Sequence, residues 1–169
     1  VPNVVPDYAK LWCWVRDFKR SGVDEVLERV RKMVDGAALM AEVEGKLTLQ
    51  GGDYEVLINE TGAKALHSNL TWLGPIEYTS QEEEFARTLQ RAAGVPPLGL
   101  NGKPAPLEGQ VPEGGSTDVG DVSWIVPTLN LTVTTAPRGV PWHAWPVAAC
   151  AGMSIGHKGM IYASKTLAA

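Results

Sequence analysis

His143 stands between Trp142 and Trp145 in the run Pro141-Trp-His-Ala-Trp145. An imidazole can ligate a metal or carry a proton, and bulky indoles on either side would hold it in place. Upstream, Gly114-Gly-Ser-Thr117 reads as a turn whose backbone N–H groups can hold an anion, with Asp118 and Asp121 directly after it. Downstream, Gly156-His-Lys-Gly159 opens a helix. Near the other end of the chain, Asn3 and Arg16 offer an amide and a guanidinium, a pair able to grip a carboxylate. Each has a plainer reading. A lone histidine is more often structural than a ligand. His67, inside a helical run, reads as a surface or interface residue, and His157 as a ring packed where glycines allow close approach. Asn3 reads equally as a turn residue and Arg16 as a solvated one. Glu82-Glu83-Glu84 reads as the solvated, dipole-favoured start of a helix. No Ser-His-Asp signature, P-loop, GxGxxG or CxxC is present.

The elements that would position these residues alternate strand and helix. Residues 9–18 alternate, with Leu11, Cys13 and Val15 on one face and Lys10, Trp12, Trp14 and Arg16 on the other. Cys13 is expected to be a small buried hydrophobe. Ser21 reads as the cap of a helix, with Asp24 as its capping-box partner, and Val23, Val26, Leu27, Val30, Met33, Val34 and Ala37 recur at helical spacing. Strands are predicted over 44–49 and 54–58. A helix over 60–73 ends at Gly74-Pro75, and another starts at Ser80 with Phe85, Ala86, Leu89, Ala92 and Ala93 inward. The Pro- and Gly-rich stretch 95–113 reads as a long loop, 118–124 as a helical turn, 128–135 as the clearest strand, and 153–169 as a helix carrying Met160, Ile161 and Leu167. This alternation predicts an α/β or α+β fold.

With 169 residues there is room for one domain or two small ones. A net charge of −4 without a basic stripe argues against nucleic acid. No apolar run reaches the length of a membrane span, and no signal peptide is visible. Two cysteines without metal-type spacing make the cytoplasm the default compartment. The chain opens on Val1-Pro-Asn-Val-Val-Pro, without a methionine, and reads as the second part of a longer polypeptide.

Six short segments recur in one order in a known family: Pro2-Asn-Val-Val-Pro-Asp7, Trp14-Val-Arg16, Gly36-Ala-Ala-Leu-Met40, Gly114-Gly-Ser-Thr-Asp-Val-Gly-Asp-Val-Ser-Trp124, Pro141-Trp-His-Ala-Trp145 and Gly156-His-Lys-Gly-Met160. By these the sequence resembles the zinc-dependent amidohydrolases and aminoacylases of metallopeptidase family M twenty, on the aminobenzoyl-glutamate hydrolase branch. The resemblance implies a catalytic α/β domain holding two metals and an inserted, dimerising, ferredoxin-like lid. Residues 1–50 would be the second half of the lid, and 51–169 the C-terminal part of the catalytic domain. His143 would be a metal ligand, Asn3 and Arg16 the grip on the substrate carboxylate, and Gly115, Ser116 and Thr117 the loop lining the substrate.

The family pattern also requires a first histidine, a bridging acid, a Glu general base and further ligands, and none of these matches a segment of the 169 residues. A two-metal hydrolase activates a bridging water and polarises the amide carbonyl, and one histidine cannot hold two metals. The expectation is therefore the C-terminal portion of a metal-dependent amidohydrolase that cleaves N-acyl or aminobenzoyl amides of glutamate-like amino acids. The zinc or manganese belongs to the complete parent, and none is expected to bind tightly here. The isolated chain is expected to be inactive. A stand-alone binding or assembly module derived from the hydrolase is the alternative. Open strand edges predict a homodimer or association with the missing N-terminal half.

Overall fold

The computed structural model describes residues 3–107 and 117–169. Among these the chain forms six helices and no strand. No helix among them is long and apolar enough to cross a membrane. The chain divides into two compact units, one of residues 1–57 with 112–126 and the other of 58–111 with 127–169.

In the first unit α1 spans Arg20–Ala41. Val23, Val26, Leu27, Val30, Val34 and Ala38 form a half-buried stripe at helical spacing, while Met33 and Ala37, expected inward, are exposed. The expected Ser21 cap is not used. Lys19 is the N-cap and offers no side-chain bond. Instead the Glu55 carboxylate, 35 residues away, accepts the Arg20 backbone N–H at 2.9 Å. The helix runs through Gly36 and stops at Glu42, where φ is 54° and the Val43 N–H returns to Ala38 O at 3.1 Å. The short α4, Val119–Ser123, follows the helical turn expected at 118–124.

The strands expected over 9–18, 44–49, 54–58 and 128–135 do not form. A strand exists by its ladder of paired backbone groups, and alternation of side chains alone does not supply a neighbour. In 54–57 the backbone groups are claimed by α4 side chains instead. In 9–18 the period of two survives without a ladder: the Trp12 and Trp14 rings lie 5.7 Å apart, with the Arg16 guanidinium 5.5 Å from the Trp14 ring centre. Cys13, expected buried, is exposed, as is Leu11.

The second unit packs α2 (Glu60–Leu73), α3 (Ser80–Ala92), α5 (Trp145–Ala151) and α6 (Ser154–Ala168). Asn59 caps α2 by accepting from Gly62 N, and the helix stops at Gly74 with φ 74°, as the Gly-Pro signal predicts. The cap of α3 is Thr79, one residue before Ser80, in a complete capping box with Glu82. The expected 153–169 helix is preceded by α5, which begins at Trp145 with Pro146 in its first turn, where a missing N–H costs nothing.

The core of this unit is Ala86 and Leu89 of α3, Leu100, Cys150 of α5 and Ile155 of α6, with Tyr78 and Phe85 packed against it. Met160, Ile161 and Leu167 stay exposed, and α6 buries Ile155, Gly156, Gly159 and Thr166 instead. A Cβ on Gly159 would stand 2.6 Å from Thr134 O, so glycine lets α6 lie directly on the 134–135 backbone. Asn69 donates to Thr166 O at 3.0 Å and the Tyr162 hydroxyl to Gly74 O at 2.6 Å, joining α2 to α6. The fully buried Gln90 donates to Arg138 O at 2.7 Å and accepts from Gly99 N at 2.8 Å. It thereby anchors the proline-rich segment 95–107, whose composition suggested only a loop.

Candidate functional site

The motif histidine is exposed and sits just before the N-cap of α5. Its φ is 64°, in the left-handed region that non-glycine residues adopt at a cost of about 1–2 kcal/mol. Such outliers persist where the surroundings over-determine them, often at functional sites. The ring opens onto a shallow depression of about 480 Å³ lined by Trp142, Ala144, Trp145, Val147, Ala148 and Ala151. The indoles flank it, as the sequence predicts. The depression offers a metal one nitrogen and no carboxylate, and among the described residues no group of three or more His, Cys, Asp or Glu could hold a metal ion. Catalytic zinc needs about three protein ligands, so this donor set does not by itself fit the divalent metal that the resemblance implies.

His67 is half-buried on α2, its Nε2 3.1 Å from Ala105 O, beside a groove of about 540 Å³ between α2 and the segments 101–107 and 130–140. This agrees with its structural reading. His157 is exposed, and it is the flanking Gly156 and Gly159, not the histidine, that are buried in close packing.

The residue between those glycines does most at this junction. Lys158 donates to Glu82 Oε2 at 2.7 Å and to Glu77 O at 2.9 Å, and Ser154 donates to Glu82 Oε1 at 2.6 Å. The Thr79 N–H adds a further bond to Glu82 at 2.6 Å. Burial pushes the Glu82 carboxyl up, but the bonds from Lys158, Ser154 and Thr79 outweigh it and hold the group at about 2. The expectation of a solvated acidic helix start therefore fails at Glu82, while Glu84 stays exposed and pairs with Arg91 at 3.0 Å. Burial, followed by the nearby Glu82 and Glu83, pushes the Tyr78 hydroxyl up to about 12. This cluster reads as structural: among the described residues no buried side-chain polar atom lacks a partner. The Thr79-x-x-Glu82 spacing was the signal for it.

In the first unit residues 120–124, at the end of the Gly114–Trp124 motif, act as a clamp. Asp121 Oδ1 accepts the Tyr54 N–H at 2.8 Å, Ser123 Oγ accepts the Leu57 N–H at 2.7 Å, and Trp124 Nε1 donates to Glu55 O at 2.8 Å. Gly120 lies so close that a Cβ would collide with Tyr54 O. The motif thus grips an extended segment with side chains in place of a strand. At the far side of that segment Glu55 caps α1. The Arg20 N–H holds its carboxyl below the usual range, and the Arg20 guanidinium lies 5.2 Å from the Tyr54 ring centre. Long-range partners of this kind leave no local spacing to read.

Gly115 and Ser116 lie outside the described residues. Thr117 is exposed, its Oγ1 accepting from Val119 N at 3.3 Å. Asn3 and Arg16 are both exposed and share no hydrogen bond; Arg16 stacks on Trp14 instead.

No family model and no solved structure matches the chain. Its sequence is related to amidohydrolases, the class to which the motifs pointed. It is 29% identical over 99% of its length to a subunit of the p-aminobenzoyl-glutamate hydrolase of Escherichia coli (strain K12). A stretch of 58 residues, 34% of the chain, is 34% identical to N-acetyldiaminopimelate deacetylase of Leuconostoc citreum (strain KM20). The chain spans 40% of the length of the first relative, and the matched stretch 15% of the second.

Proposed function

We propose that this chain is the C-terminal portion of a metal-dependent amidohydrolase that cleaves aminobenzoyl or N-acyl amides of glutamate-like amino acids, and that it does not turn over substrate alone. The similarity that runs through 99% of the chain yet over 40% of a named hydrolase polypeptide carries this reading. Residues 1–50 correspond to the second half of a lid and 51–169 to the end of the catalytic domain. Asn3 and Arg16 hold the substrate carboxylate, and Gly115, Ser116 and Thr117 line the substrate. His143 supplies one nitrogen to a zinc or manganese site whose other ligands lie on a different segment. Its left-handed backbone supports a role beyond packing. The protein works in the cytoplasm as a homodimer or with a partner polypeptide, as a relative that is itself one subunit of a hydrolase suggests.

The test supplies the part of the Escherichia coli polypeptide outside the matched region, fused or as a separate chain. With added zinc or manganese, hydrolysis of p-aminobenzoyl-glutamate is expected to appear, and His143→Ala to abolish it. The chain by itself is expected to be inactive. Metal-dependent turnover by the isolated chain, well above a His143→Ala control, overturns the reading.

A further inference from the structure

We propose that residues 129–133 form a ready strand edge onto which an extended, acidic segment from the rest of the hydrolase polypeptide docks, lying in the groove beside α2. The inference rests on the amidohydrolase reading above and adds to it the surface by which this chain receives the remainder.

Four observations carry it. First, the backbone is open. Residues 127–135 run without helix, turn or bend, and among the described residues no backbone N–H or C=O of 129–133 makes a hydrogen bond. Pairing resumes only at Thr134, whose O accepts from the Tyr78 hydroxyl at 3.3 Å and whose Oγ1 donates to Asn101 O at 2.5 Å. An unpaired row of this kind is a template for an added strand. Second, the row is pinned at both ends. Leu129 packs so closely on the first turn of α2 that a Cβ on Gly62 would collide with it, and the 134–135 backbone lies directly against Gly159 of α6. An edge held this way needs little further ordering to pair. Third, the groove of about 540 Å³ along this segment carries one sign of charge. Its lining is apolar at Leu66, Ile76, Leu131 and Val133 and cationic at Lys103 and Arg138, with no Asp or Glu among the described residues that line it. The chain as a whole holds 19 acidic against 15 basic residues, so the groove runs against the average. Neither cation has an ion-pair partner among the described residues. Fourth, Trp142 and Val147 line both this groove and the depression at His143. A segment lying in the groove therefore reaches the neighbourhood of the motif histidine.

Together these select an extended polypeptide over other occupants. A small carboxylate would answer the cations and leave the backbone row open. A second copy pairing through the same edge would bring two cationic grooves together, which like charge disfavours. Two cations are too few to follow a nucleic-acid backbone. The first relative's polypeptide extends well beyond the 40% that this chain spans, so the parent has chain enough to supply the strand.

The test uses the full 169-residue chain and the part of the Escherichia coli polypeptide outside the matched region, as a separate chain. Hydrogen exchange read by mass spectrometry is expected to show rapid exchange at 129–133 in the isolated chain and at least about tenfold slower exchange in the complex. Reversing the groove charge with Lys103→Glu and Arg138→Glu should weaken the complex by about tenfold or more, and added salt should weaken the unaltered complex. Both residues are exposed, and circular dichroism checks that the helices persist in the variant. Leu131→Asp, which places a charge in the apolar lining, should weaken the complex further. No complex, a complex that leaves 129–133 unprotected, or affinity untouched by the charge reversal overturns the inference. So does protection that rises with the concentration of this chain alone, which would assign the edge to a second copy. Failure of the broader reading looks different: protection at 129–133 without hydrolysis would sink the catalytic reading and keep the docking surface. Restored hydrolysis with 129–133 unprotected would do the reverse.

Discussion

The Lys158 ammonium donates to Glu82 Oε2 at 2.7 Å, joining the first turn of α3 to the second turn of α6. Glu82 simultaneously completes the capping box of α3 and accepts from Ser154. One carboxylate therefore closes a helix start and fixes a helix–helix junction.

This carboxylate makes the fold acid-sensitive. Its ordinary value of 4.5 falls to about 2 in the native state. Between these values the unfolded chain binds the proton more readily, so stability falls as pH falls. Its contribution is complete above about 4.5 and lost by about 2. Chemical denaturation from about pH 6 down to about pH 2 should show this loss, and Glu82→Gln should flatten the profile below 4.5. Lys158→Met should cost roughly 2 kcal/mol at neutral pH, less than a fully buried pair, because the Lys158 side chain is 34% exposed. An unchanged acid profile in Glu82→Gln contradicts the assignment.

Gly120 and Ser123 hold the 54–57 segment by different means. Gly120→Ala forces a methyl group into Tyr54 O and should cost about 2–3 kcal/mol. Ser123→Ala leaves the Leu57 N–H without its 2.7 Å partner and should cost about 1–2 kcal/mol. Urea unfolding of both variants checks the order; a neutral Gly120→Ala would show that the segment is not clamped there.

His143 is held in a conformation that glycine adopts freely. His143→Gly should raise stability by about 0.5–1 kcal/mol, the relief of left-handed strain less the extra chain entropy of glycine, while His143→Ala should not. Stabilisation by glycine alone is the signature of a residue kept for its ring despite its backbone. Equal melting temperatures for the two variants would remove the argument from strain.

Residues 9–18 carry a strand pattern without a ladder, and Leu11, Trp12, Trp14 and Phe18 are exposed. An unpaired edge of this kind invites strand addition, so the chain should form a two-fold dimer at micromolar concentration. Light scattering gives the mass directly. A monomer at that concentration would contradict the expectation.

Much of the second unit was legible in the sequence because its signals are local. The α2 boundaries follow from a helical run closed by Gly74-Pro75. The capped start of α3 was legible to within one residue; Thr79-x-x-Glu82 and Ser80-x-x-Glu83 have the same spacing, and the structure uses the first, whose Glu82 is also held by Ser154 and Lys158. In the first unit the turn at 118–124 follows from its glycines and aspartates. The order of the motifs pointed to amidohydrolases, and the relatives agree.

Other features had no local signal. Alternation in 9–18 placed Trp12, Trp14 and Arg16 together, since side-chain direction is a property of extended backbone. It did not make a strand, since pairing is a property of neighbours. Hydrophobicity pointed to Met160, Ile161 and Leu167 as the inner residues of α6, but close backbone contact chose Gly156, Gly159 and Thr166.

By itself the sequence determined α2, α3 and α6 to within about a residue, the stop of α2 and the family resemblance, because caps, breakers and motif order act over a few residues. The tertiary structure alone decided which polar groups meet. Glu55 reaches Arg20 across 35 positions, Asp121 reaches Tyr54 across 67, and Lys158 reaches Glu82 across 76. A hydrogen bond requires donor and acceptor within about 3 Å, and over such separations the folded path of the chain, not the spacing of its letters, brings them there.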